Sequence, residues 1–139
     1  MAQVTLVDAD LSVGRELLDA LDARKFAVSS ALWLQREEGD EYRLIIATPV
    51  VDREGKQAAY MRLAGVLKDA ALNDRMPLFR IEAVGESDPT VSLLRRFVSA
   101  AGSDVKLRLS NNVFDGVLVP DAYVYRLAKP EARKKRSRA

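Results

Sequence analysis

Apolar residues recur at helical spacing in three stretches of the chain, which predicts three helices that each bury one face. Asp8 or Asp10 can cap the first helix by accepting hydrogen bonds from its free N–H groups. The second helix is predicted from about residue 56 to 72. The third begins at Asp88-Pro89, an N-cap followed by proline at the first helical position. The buried stripes are Leu11, Gly14, Leu17, Leu18 and Leu21; Ala59, Tyr60, Leu63, Val66, Leu67 and Ala70; and Leu93, Leu94, Phe97, Val98 and Ala101.

Runs of strand-forming residues between turn residues predict the remaining elements. The predicted strands are 31–35, 42–48, 78–84, 105–109, 113–119 and 123–127. The first two form a hairpin, and in the third Phe79, Ile81 and Ala83 share one face. Turns are predicted at 110–112 and at Pro120-Asp121, and Asp115-Gly116 is either a turn or a bulge.

The order of these elements, α-β-β-α-β-α-β-β-β, predicts an α+β fold. Consecutive strands favour a largely antiparallel or mixed sheet, packed with about three helices in one compact domain over residues 1–128. Residues 129–139 differ in composition, because they are almost entirely polar and basic, and we predict that they form a flexible C-terminal tail.

Two residue types are missing from the 139-residue chain, which has no His and no Cys. Disulfides, thiolate metal sites and His-dependent catalytic triads are therefore excluded, and catalysis would have to use carboxylates, Lys, Arg, Tyr, Ser or Thr. The N-terminus lacks a targeting pattern, and no apolar run has the ~20 residues that span a membrane. We expect an intracellular, cytoplasmic protein with no cofactor and no membrane partner.

Charge is divided unevenly along the sequence. The chain has a net charge of +2, but residues 129–139 carry six basic residues and one acid, which leaves −3 for residues 1–128. Such a cluster attracts phosphate through charge and counterion release. The predicted polyanion-binding residues are Lys129, Arg133, Lys134, Lys135, Arg136 and Arg138. The alternative is a tail that only keeps the protein soluble.

A short acidic motif suggests a different chemistry. Asp52 and Glu-x-Lys at Glu54 and Lys56, with Asp40 upstream, resemble the metal-dependent nuclease arrangement of restriction-type enzymes. The resemblance implies metal ligation by Asp40, Asp52 and Glu54 and catalysis by Glu54 and Lys56. In that family the Glu-x-Lys lies on a strand, whereas here it precedes a predicted helix. The competing interpretation is that Asp52 or Glu54 stabilises the N-terminus of that helix.

Tyr123 and Tyr125 share one face of the last predicted strand, with Val124 on the other. If Leu127 marks the core side, both rings are buried. If Val124 marks it, the two rings form an exposed interaction surface beside the basic tail, suited to a partner protein or to nucleic acid.

These features favour a non-catalytic binding or accessory module whose tail binds nucleic acid, another polyanion or an acidic partner. Two alternatives stay open. One is a homo-oligomeric or protein-interaction subunit, and the other is a divalent-metal-dependent phosphodiesterase built from the Asp, Glu and Lys residues above.

Overall fold

The computed structural model describes residues 6–36, 39, 41–97 and 104–127. These residues form four α-helices and five strands: α1 Asp8–Ala23, β1 Ser30–Gln35, β2 Tyr42–Ala47, α2 Pro49–Glu54, α3 Lys56–Asp69, β3 Ile81–Val84, α4 Pro89–Phe97, β4 Asp104–Phe114 and β5 Val117–Leu127. The predicted α+β class is confirmed, with a mixed sheet in a single compact domain. The basic tail, and Val98 and Ala101 of the third predicted buried stripe, lie outside the described residues.

The sheet has the strand order β3-β2-β1-β5-β4. β2 and β3 are parallel and are joined through α2 and α3, while the other neighbouring strands are antiparallel. Trp33 lies opposite Leu44 on β2 and opposite Tyr123 on β5, so these three side chains belong to one face of the sheet. The end of β5 lies beside the start of β1, where Leu127 pairs with Ser30.

Helices cover both faces of the sheet, and each face has its own apolar core. On one face α1, α2 and α3 pack against Trp33, Leu44, Ile46, Ile81 and Tyr125. On the other face α4 contributes Val91 and Leu94, which pack with residues of all five strands. This helix begins as predicted, since the Asp88 carboxylate accepts hydrogen bonds from the N–H groups of Thr90 and Val91 at 3.0 and 3.2 Å.

The C-terminal strands differ from the prediction. The segments predicted as three short strands form two strands of 11 residues each, joined at Asp115-Gly116. Both linking residues have positive φ, 51° and 82°, as a two-residue hairpin turn of type I′ requires. The turns predicted at 110–112 and at Pro120-Asp121 are wrong, because both segments lie within the strands. Asn111 has a φ of 49° there, so it produces a local irregularity without reversing the chain.

Three further differences concern local segments. Pro49–Glu54 forms α2, which was not predicted; the Thr48 side chain caps it by accepting from the Val50 N–H at 3.1 Å. Residues 78–80 form a 3₁₀ turn, so Phe79 is 75% exposed and does not share the buried face of Ile81. Phe97, predicted in the core, is half-exposed at the end of α4, where its ring packs 5.6 Å from that of Phe114.

Candidate binding surface

The end of β5, from which the basic tail continues, lies against the turn between α1 and β1. The Arg126 guanidinium donates to both carboxylate oxygens of Asp22 at 3.0 and 2.7 Å and to the Val28 carbonyl oxygen at 3.2 Å. Asp22 is in the last turn of α1, and Val28 leads into β1. These bonds and the Leu127–Ser30 pairing bring position 127 next to residues 22–28.

This turn exposes two positive charges, on Arg24 and Lys25. Lys25 has a φ of 59°, and it occupies the left-handed position of a helix C-terminus that is usually glycine. Its N–H donates to the Asp22 carbonyl oxygen at 3.0 Å, and the next N–H, of Phe26, donates to the Leu21 carbonyl oxygen at 2.9 Å. Because Arg126 neutralises the Asp22 carboxylate, Arg24 and Lys25 give this surface a positive charge.

A second polar group lies on β4 and β5, on the sheet face that carries Trp33. Asp121 is buried and accepts hydrogen bonds from Nε and Nη2 of Arg108 at 2.7 and 2.6 Å and from the Tyr42 hydroxyl at 2.5 Å. The Ser110 hydroxyl lies 3.5 Å from the same carboxylate. Arg108 and Ser110 are exposed, so this part of the face is open to solvent.

The electrostatics of this group follow from its contacts. Burial raises the pKa of Tyr42 to about 12, and the hydrogen bond to the Asp121 carboxylate adds to the rise. Burial alone would raise the pKa of Asp121 as well. The hydrogen bonds from Arg108 and Tyr42 outweigh it and hold the Asp121 pKa below its usual value. Asp121 is therefore a carboxylate at neutral pH, and it fixes the position of the half-exposed Arg108 side chain.

The two tyrosines of the predicted interaction surface have different positions. Tyr125 is only 3% exposed, so its assignment to an exposed surface is corrected. Its hydroxyl accepts from Trp33 Nε1 at 3.0 Å and donates to the Leu11 carbonyl oxygen at 2.7 Å. Burial raises the pKa of this hydroxyl. Tyr123 is half-buried and contacts the Tyr125 ring edge-on at 5.2 Å between centroids.

The residues of the nuclease-like motif have separate structural contacts. Asp52 accepts from the Glu86 N–H at 3.0 Å, and Glu54 accepts from Arg62 at 2.9 and 3.0 Å. Glu54 ends α2 and Lys56 begins α3, so the Glu-x-Lys is not on a strand. Asp40 lies outside the described residues, and among those described no group of three or more acidic side chains could hold a metal ion.

A cavity of about 140 Å³ lies on the opposite side of the sheet, between the end of β1, the start of β5 and the start of α4. Leu34, Arg36, Thr90 and Val119 are among its lining residues. None of these residues was singled out from the sequence. Arg24, Lys25, Tyr42, Arg108 and Asp121 were not predicted as site residues either, although the strict alternation of Val105–Leu109 already placed Arg108 on the polar side of its strand.

Comparisons with known proteins returned no match to a family model, to a curated protein or to a solved structure. Within the described part of the chain, no helix is long and apolar enough to cross a membrane.

Proposed function

We propose that this protein is a non-catalytic binding module that engages nucleic acid through its basic tail and the surface from which the tail continues. One observation carries the proposal: Arg126 and Leu127 connect the end of β5 to the turn that exposes Arg24 and Lys25. The folded domain thus adds two exposed cations to the six basic residues of the tail. The tail supplies affinity without reading sequence, since phosphate contacts position a protein on nucleic acid and base contacts specify.

Counterion release sets the expected salt dependence. Each phosphate neutralised on duplex DNA contributes a slope of about −0.9 in log K against log salt concentration, so six tail contacts give about −5. Contacts from Arg24 and Lys25 as well bring the slope to about −7. The two surfaces therefore contribute separately measurable amounts.

Fluorescence anisotropy with a labelled DNA duplex tests the proposal at several salt concentrations. The full chain should bind with the steep slope, and a chain ending at Ala128 should lose most of both affinity and slope. The double variant Arg24→Ala/Lys25→Asn should reduce the slope by about 2. Asparagine is chosen at position 25 because it tolerates the positive φ found there.

The matched control is Arg43→Ala/Lys68→Ala, which removes the same charge elsewhere. Arg43 lies near the start of β2, whereas Leu127 reaches the sheet at the other end of this strand, where Ser30 pairs with Ala47. The salt dependence of this control variant should have the same slope as that of the unmodified chain. Salt-insensitive binding that survives removal of the tail would refute the proposal.

The second candidate function, a homo-oligomeric subunit, is favoured by exposed apolar side chains at the tip of the β4–β5 hairpin. Val113 and Val117 are 64% and 49% exposed. Phe97 is also exposed, and the contact of its ring with Phe114 places it next to this tip. A second copy meeting this tip would bury these side chains. Light scattering across protein concentrations should then show a dimer that Val113→Lys dissociates, and a concentration-independent monomer would exclude this function.

A further inference from the structure

The β4–β5 part of the sheet combines an aromatic ring with a positioned arginine. Arg108 lies directly opposite Tyr123 in the antiparallel register, so their side chains are neighbours on one face. Tyr123 is half-buried and Arg108 is exposed. On the other side of β4, Leu109 is buried in the core that contains α4. Tyr123 also packs in part against the core formed with α1, α2 and α3, and the exposed part of this face is formed by Arg108 and Ser110 beside it.

The surroundings of both side chains hold them in place. The Tyr125 ring supports Tyr123 edge-on, and Tyr125 is itself fixed by hydrogen bonds to Trp33 and Leu11. The Asp121 carboxylate binds Nε and Nη2 of Arg108, which leaves the outer nitrogen Nη1 outside this bidentate pair. A pre-positioned aromatic ring and guanidinium lose little conformational entropy when they bind a ligand.

This face is also continuous with the cationic surface of the proposed function. Tyr123 precedes Leu127 by four residues on β5, a distance of about 13 Å at 3.3 Å per residue. A strand of a few nucleotides that has phosphates near Leu127 can therefore reach Tyr123. Unpaired bases can stack on an exposed aromatic ring, whereas the bases of a duplex are already stacked and offer mainly phosphates.

We propose that the face formed by Tyr123 and Arg108 binds single-stranded nucleic acid, with one unpaired base stacked on the Tyr123 ring and a neighbouring phosphate bound by Arg108. This inference rests on the proposed function, because the tail supplies the charge attraction that brings the strand to this face. It adds a preference for unpaired bases, which the tail alone does not have, since it contains no aromatic residue.

The first test uses the unmodified full chain and two labelled strands, an oligodeoxythymidine and an abasic strand of the same length. A length of about 12 nucleotides lies within the usual site size of proteins that bind single strands. Both strands carry the same phosphates, and only one carries bases. Anisotropy should show at least about fivefold tighter binding of the oligodeoxythymidine, as one stacked base predicts. Equal affinities would overturn the inference while leaving the tail's role intact, and failure to bind either strand would overturn both proposals.

The second test changes the ring itself. Tyr123→Leu should lower the affinity for the oligodeoxythymidine about fivefold or more without changing duplex binding, and Tyr123→Phe should retain the affinity because it keeps the aromatic face. The control Phe79→Leu removes an exposed aromatic ring beside β3, at the opposite edge of the sheet, and should change nothing. Thermal melting of each variant checks the fold. Equal loss with Tyr123→Phe, or equal loss with Phe79→Leu, would contradict stacking on Tyr123. An RNA strand of the same length shows whether the 2′-hydroxyl matters.

Discussion

Replacing Gly14 by alanine should destabilise the protein, although alanine is the better helix former. Gly14 lies in the middle of α1 and faces the Tyr125 hydroxyl. A Cβ atom at this position would lie 2.8 Å from Tyr125 Cζ and 2.9 Å from Trp33 Nε1, and closer still to the Tyr125 hydroxyl oxygen. The tyrosine would have to move, and its hydrogen bonds to Trp33 and to the Leu11 carbonyl oxygen would be lost or lengthened.

The size of the effect follows from three contributions. Two lost hydrogen bonds cost about 1 kcal/mol each, and forcing a methyl group into a packed core costs about 1–3 kcal/mol. Alanine returns about 1 kcal/mol through its helix propensity. The net loss is about 3 kcal/mol, a large part of the roughly 5–15 kcal/mol by which domains are stable. It corresponds to a fall in Tm on the order of 10 °C for a chain of this length.

Urea unfolding followed by tryptophan fluorescence is the appropriate assay, because Trp33 is the single tryptophan and contacts the altered site. Gly65→Ala is the matched control, since a Cβ added to this glycine of α3 meets nothing within 4 Å. This control should gain up to about 1 kcal/mol. The double variant Gly14→Ala/Tyr125→Phe removes the closest contact, so it should be more stable than the sum of the single effects by about 1 kcal/mol or more.

Two results would refute this reasoning about Gly14. One is a gain in stability for Gly14→Ala like that of Gly65→Ala, which would mean that the Tyr125 hydroxyl is not held against α1. The other is strict additivity of Gly14→Ala and Tyr125→Phe, because two groups that do not meet have independent effects.

Three further predictions concern other contacts. Ala71 has a φ of 57° at the end of α3, so Ala71→Gly should raise Tm by relieving about 0.5–1 kcal/mol of strain, and an unchanged Tm would contradict this. A Cβ at Gly85 would lie 2.5 Å from Asp52 Oδ1, so Gly85→Ala should cost about 1–2 kcal/mol in urea unfolding, and Asp52→Ala should abolish most of the difference. The folded-state pKa of Tyr42 is about 12, above its ordinary 10, so its stabilising contribution is complete below pH 10 and is lost as the pH rises toward 12. The free energy of unfolding should fall less steeply over that range in Tyr42→Phe, and parallel curves would contradict the shift.

Elements with distinct local signals at both ends were predicted well from the sequence. Asp88-Pro89 specified the start of α4, and the polar loop after 31–35 specified the β1–β2 hairpin, because these signals act within a few residues. The turns predicted at 110–112 and 120–121 were wrong because contacts between residues far apart in the sequence decide the structure there. Asn and Pro favour turns locally, but pairing along two strands of 11 residues outweighs that preference.

The candidate site could be predicted only in part. The basic tail is visible as composition, whereas the position of Arg24 and Lys25 near the end of β5 is recognised only once Leu127 is known to pair with Ser30. Gly14 was predicted only as part of the buried face of the first helix, and the group that it faces is the hydroxyl of Tyr125, 111 residues later, which no local pattern specifies.

The local charge at the end of β5 differs from the net charge of the domain. A tail of charge +5 next to a domain of charge −3 would be expected to fold back onto it. At the end of β5, however, the Asp22 carboxylate is already bound by both terminal nitrogens of Arg126. The exposed charges of the turn beside it are those of Arg24 and Lys25, which have the same sign as the tail. The charge of this turn therefore supports the proposed binding of a separate polyanion, although the domain as a whole is negatively charged.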